Sequence, residues 1–223
     1  MKSRANYKEY ILDSIFIIFV VQLARISIKF ILLSQLNLSL INLIITSIIS
    51  FLIVGTFFVL IFKDNEKFNP SRIKIINMLN NQSKQIRIII GTIFLICLFL
   101  SIYFNDEYDI YNIGILILSI IIIPIFEELL FREYIWNYLS NYTKNTLIVF
   151  ICITVIYALY QVGYIDIIKQ YMQVTHSPGY VVDSIMISTT KGLIMGSLLG
   201  IAKIKLKDTS ICMLLHGIFS IFF

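Results

Sequence analysis

Apolar residues in this 223-residue chain fall into seven blocks, and most charged residues lie between them. The blocks run over roughly residues 10–33, 38–62, 86–104, 110–131, 146–165, 184–202 and 209–223. Most are close to 20 residues long, enough for an α-helix to cross a hydrocarbon core of ~30 Å. A soluble helical core seldom needs unbroken apolar runs of about 18 residues or more. The pattern predicts an all-α fold, a polytopic transmembrane helical bundle of about seven membrane segments. Beyond a bias towards isoleucine, no internal repeat stands out.

Composition agrees. Hydrophobic residues make up 58% of the chain and charged residues 14%, against about 45–50% and about 25% in soluble domains. Little is left for a soluble domain. The first block lacks a small-residue cleavage site and reads as a retained helix. Cys97, Cys152 and Cys212 sit far apart inside apolar blocks and read as buried, reduced thiols.

The charge is unevenly placed. The net charge of +5 reflects basic linkers, as expected of a membrane protein with positive-inside loops; it does not point to nucleic acid. Alternating the segments puts the N-terminus and the 63–85, 132–145 and 203–207 stretches on one face, which should be cytoplasmic. The 105–109 and 166–183 stretches fall on the other. The reading is a multi-pass protein of a plasma membrane, bacterial by its Ile- and Asn-rich bias, with membrane lipids as partners. Arg25 and Lys29 break the pattern near the far end of the first block. Either they snorkel or that segment lies partly in the interface. The 63–85 stretch is either an amphipathic helix on the anionic leaflet or a solvated loop.

The chemistry starts at "FEELLFREY", residues 126–134. Charged side chains at the centre of a membrane helix cost at least ~2.5–3.5 kcal/mol each and persist where they pair or act. Glu128 and Arg132 are spaced i,i+4 in the favoured order, so one helix face pairs them. Glu127 lies about 100° round the helix and is expected to point into a cavity. Pro124 cannot donate to the carbonyl of Ile120, so a loosened turn should lie beside the carboxylates. The competing reading places both glutamates near the cytoplasmic end, with Tyr134, Trp136 and Tyr138 as an interfacial belt. Two later blocks bring further polar faces, Tyr157 with Gln161 and His216 with Ser220, each spaced i,i+4. Singly these are helix–helix hydrogen bonds; together they would build a polar pocket. Lys191 lies in the sixth block, where it lines that pocket, binds an anionic lipid or snorkels. Gly192 and Gly196 beside it suit close helix packing. His176 falls on the opposite loop and reads as solvated.

Glu127-Glu128-x-x-x-Arg132 resembles the first motif of the CPBP intramembrane proteases (the CAAX-processing and bacteriocin-processing, or Abi, family). "TTKGLIMGSLLGIAKIKLKDTSICMLLHGIFS" resembles that family's closing pattern, which ends in His-x-x-x-Asn. "YALYQ", Tyr157 to Gln161, stands where the family has Phe-x-x-x-His. The resemblance covers roughly residues 84–223, leaving residues 1–83 as N-terminal membrane helices and a basic cytoplasmic loop. It implies a catalytic set of Glu127, Glu128, Arg132, Gln161, His216 and Ser220, with Glu127 as base and His216 and Ser220 on the oxyanion side. Two members depart from the family: Gln161 replaces a histidine and Ser220 an asparagine. Gln161 orients a water but takes no proton. No cofactor is established; zinc, if any, would have Glu127 and His216, a doubtful set because Gln161 is a poor third ligand.

Two functions follow. One is a catalytically impaired or inactive protease homologue, a membrane scaffold or regulator that binds a partner transmembrane helix or peptide. Its setting would be cell-envelope assembly, peptide export or bacteriocin self-immunity. The other is an active intramembrane endopeptidase that cleaves a peptide or membrane-anchored substrate near the cytoplasmic leaflet. A small transporter has only the intramembrane charges in its favour.

Overall fold

The computed structural model describes residues 7–62, 81–103, 109–143, 145–176 and 180–222. The described residues form helices joined by short turns, with no β-strand among them. The helices are α1 Tyr7–Ser34, α2 Leu40–Phe62, α3 Asn81–Tyr103, α4 Ile110–Tyr142, α5 Thr146–Thr175, α6 Val181–Leu206 and α7 Thr209–Phe222. The first six are long and apolar enough to cross a membrane. At ~1.5 Å per residue, the described part of α7 is about 21 Å long, shorter than the other six. The amphipathic reading of the 63–85 stretch falls mostly outside the described residues.

Local chemistry sets the ends. Asn145 caps α5, its Oδ1 accepting from the amides of Leu147 and Ile148. Asp208 does the same for α7 through the Ser210 amide, and Ser39 for α2 through the Asn42 amide. Such caps satisfy amides that a helix leaves unpaired at its start. His176 ends α5 and Lys207 ends α6, both in the left-handed region at φ 50° and 53°, as helix-terminating residues often are.

Two connections are shorter than the hydropathy suggests. Residues 132–142 continue α4, and 166–175 continue α5. The "KIKLKD" stretch is likewise mostly helix, since α6 runs to Leu206. The interfacial-belt reading is overturned: Tyr134, Trp136 and Tyr138 are buried in the core, and the Tyr138 hydroxyl donates to Asp13 at 2.7 Å. Arg25 and Lys29 do not snorkel. Both are buried and share Asp166, at 2.7 and 3.1 Å.

α4 is not a uniform helix. Residues Ile117–Ile122 and Leu129–Ile135 adopt wide π-type turns, flanking an α-helical stretch Ile123–Glu128 that contains Pro124. The loosening expected at Pro124 thus takes the form of i→i+5 hydrogen bonding, a feature frequent at functional sites. The core packs around this helix: Phe126, Leu130, Phe131, Tyr134, Ile135 and Leu139 are all buried. α5 and α6 pack closely because glycine lines their seam. A Cβ on Gly196 would lie 3.2 Å from the Tyr157 ring, and one on Gly192 would lie 2.6 Å from Gln161 Cγ and 3.2 Å from the Ala158 backbone. This matches the close packing expected of those two glycines. α1 meets α2 where Ser14, Thr46, Ser47 and Ser50 are buried; the four hydroxyls are satisfied by carbonyls of their own helices.

Candidate functional site

Glu127 and Glu128 lie inside the bundle, 1% and 0% exposed. A headgroup-facing position is therefore ruled out for both. α4 supplies these two and Arg132, α5 supplies Tyr157, Gln161 and Tyr164, and α7 supplies His216.

Glu127 is held by three donors from α5. The Tyr157 hydroxyl donates to its Oε2 and the Tyr164 hydroxyl to its Oε1, both at 2.5 Å. Gln161 Nε2 donates to Oε1 at 3.5 Å. Three donors thus fill three of the roughly four acceptor positions of the carboxylate, two on Oε1 and one on Oε2. The α5 geometry that achieves this is a break: residues Gln161–Tyr164 form a 3-10 turn inside the helix. Side chains three residues apart eclipse in such a turn, which lines up Gln161 and Tyr164 on the Glu127 side.

Glu128 orients His216. Its Oε1 is 3.0 Å from His216 Nδ1, the arrangement by which a carboxylate fixes an imidazole. His216 Nε2 then faces Glu127 Oε2 at 3.9 Å. Arg132 Nε lies 3.3 Å from Glu128 Oε2, yet the contact is too poorly aligned to be a hydrogen bond, and Nη1 has no hydrogen-bond partner. The π-type turn between the two residues moves them off the register an α-helix gives to i,i+4 pairs. Arg132 is held in other ways. Its Nη2 donates to the Gly196 carbonyl at 3.2 Å, and its guanidinium lies 4.5 Å from the Tyr157 ring centroid. The same phenol thus stacks on Arg132 and donates to Glu127.

Of the residues singled out in the sequence, Glu127, Glu128, Arg132, Gln161 and His216 converge. Ser220 turns away: its hydroxyl donates to the His216 carbonyl one turn back, at 3.0 Å. Lys191 and His176 are exposed. The motif reading misses Tyr164, although it extends the Tyr157–Gln161 spacing to i+7 along one helical stripe, the signal that could have found it. It misses Glu133 as well. That carboxylate accepts from the Thr209 hydroxyl at 2.5 Å, and Lys203 donates to the same hydroxyl at 2.6 Å.

The donor set does not fit zinc. Among the described residues no three of His, Cys, Asp and Glu are grouped as a metal site would require. Glu127 is occupied by phenols, and Glu128 is turned to His216 and Arg132.

The fold and this polar core define a polytopic membrane protein whose glutamate pair, arginine and histidine meet inside the helical bundle. A family model described as Type II CAAX prenyl endopeptidase Rce1-like matches residues 109–222, about half of the chain. The protein belongs to this Rce1-like family, as the CPBP resemblance implies. No curated protein and no solved structure matches the chain.

Proposed function

We propose that this protein is a non-hydrolysing member of its family, a membrane scaffold or regulator that binds a partner's transmembrane helix or peptide. Cell-envelope assembly, peptide export and bacteriocin self-immunity are settings that need such a protein. The observation that carries this reading is the occupation of Glu127. To activate water, its carboxylate must accept the water's proton within hydrogen-bond reach. Tyr157 and Tyr164 each donate to one of its oxygens, so a water must compete with two phenols for this carboxylate. Gln161, in the place of the family's second histidine, donates to the same carboxylate and has no basic nitrogen. In this reading the cluster locks α4, α5 and α7 together.

A strain lacking the protein tests this when complemented with wild type or Glu127→Gln. The deletion's phenotype and the chain termini of its membrane proteins are read together. Glu127→Gln is expected to complement, with no terminus depending on Glu127. A cleavage product lost in Glu127→Gln at normal expression would sink the proposal. One observation favours that second reading: His216 and Glu127 face each other at 3.9 Å, as an oxyanion donor and a base would. The active enzyme would then cut a peptide near the cytoplasmic leaflet, and prenylated C-terminal peptides are the class to try first.

The orientation follows from the charge asymmetry of the linkers. We expect the N-terminus and the 63–85 and 203–207 stretches in the cytoplasm of a bacterial cell, and residues 105–109 outside. Single cysteines at these places, labelled with an impermeant maleimide on whole cells, report it. Labelling of the basic stretches without lysis, with 105–109 protected, would reverse the assignment.

A further inference from the structure

A second charged cluster adjoins the site and touches it through one residue. Arg25 on α1 is buried, and its guanidinium is held from several sides. Its Nε donates to Gln22 Oε1 at 3.0 Å. Its Nη2 donates to the Gly163 carbonyl at 2.9 Å and to Asp166 Oδ1 at 2.7 Å. Its Nη1 reaches Asp166 Oδ2 at 3.3 Å. The guanidinium also lies 5.3 Å from the Tyr164 ring centroid.

Gly163 and Asp166 bracket Tyr164. Arg25 therefore holds the backbone on one side of Tyr164, a carboxylate on the other, and the ring between them. The approach of α1 is close: a Cβ on Gly163 would lie 1.9 Å from Gln22 Nε2. The 3-10 turn Gln161–Tyr164 carries two of the three donors to Glu127. A 3-10 turn is the poorer hydrogen-bonding geometry and needs an outside hold to persist inside a helix. The planar, always-charged fork of arginine suits a carbonyl and a carboxylate at once.

We infer that Arg25, with Asp166, is a positioning residue of the site: it fixes the Gln161–Tyr164 turn so that Tyr164 stays on Glu127. Arg25 lies in α1, outside residues 109–222 that match the family. The N-terminal helix is thereby an integral part of the candidate site. The inference rests on the occupied-carboxylate reading of Glu127 above.

Arg25→Gln is the decisive variant. It leaves Lys29 to neutralise Asp166, so no carboxylate is stranded and the bundle is expected to fold. Two readouts are taken on purified protein: hydrogen exchange of the 161–166 amides, and the infrared carboxylate band of Glu127, identified as the band lost in Glu127→Gln. In Arg25→Gln those amides should exchange on the order of 10-fold faster relative to α2 amides, and the Glu127 band should move to its position in Tyr164→Phe. Asp166→Asn should behave alike. Arg25→Lys, which keeps charge but not the fork, should fall between, and the charge exchange Arg25→Asp with Asp166→Arg should restore part of the band shift. Lys203→Gln serves as a control that removes a different buried cation. An unmoved Glu127 band in Arg25→Gln, or the same shift in Lys203→Gln, overturns the inference. Neither readout involves cleavage, so a discovered protease activity would overturn the non-hydrolysing reading while leaving this result intact.

Discussion

Arg132→Met should lower the melting temperature of the detergent-purified protein by roughly 6–20 °C. The figure rests on a cost of about 3–5 kcal/mol for stranding one partner of a buried ion pair, at about 2–4 °C per kcal/mol for a chain of this size. Glu128 would keep only His216 as partner. The Gly196 carbonyl would lose its donor from Arg132, and Tyr157 would lose the cation on its ring. That last contact alone is worth about 0.5–2 kcal/mol. Glu128→Gln combined with Arg132→Met should recover a large part of the loss, because no charge is then left unpaired. A thermal-shift comparison of the three proteins decides it. An unchanged melting curve for Arg132→Met would show that the surrounding helices, not the cation, hold Glu128.

The helices and the acid–arginine–histidine set were legible in the sequence because both are local signals. Apolar runs give helix length, and Glu128–Arg132 spacing gives a shared face. What escaped were contacts between distant positions. Asp166 reads as the end of a membrane segment because hydropathy counts a carboxylate as solvent-seeking. It continues the helix because Arg25 and Lys29, 141 and 137 residues earlier, neutralise it. The same two cations read as misplaced in α1 for the same reason. Each charge is anomalous alone, and only the packing of α1 against the α5 break shows the pair. Glu133 is a second case: its partners Thr209 and Lys203 lie on α7 and α6. Tyr164 escaped differently. It continues the Tyr157–Gln161 stripe, but a tyrosine just past a glycine at the end of an apolar block also suits a membrane interface. Only the packing of α5 on α4 turns its hydroxyl onto Glu127.

Gln161→His combined with Tyr164→Phe should turn the site towards hydrolysis. Gln161 Nε2 already lies 3.5 Å from Glu127 Oε1, so an imidazole at this position falls within reach of the carboxylate. Removing the Tyr164 hydroxyl frees that oxygen to accept from a water. Glu127 and the introduced imidazole would then hold the water on one side, with His216 fixed opposite by Glu128 at 3.0 Å. General-base help is worth about 10²–10⁴ in rate, and that is the expected gain over wild type on a fluorogenic prenylated C-terminal peptide in liposomes. Each single change should give less: Gln161→His leaves Oε1 covered by Tyr164, and Tyr164→Phe leaves no second basic nitrogen. Adding Glu127→Gln to the double variant should return the rate to background. Wild type cleaving as fast as the double variant would mean that neither Gln161 nor Tyr164 silences the site. A folded double variant with no gain would mean that Ser220, turned back onto His216, is the missing element instead.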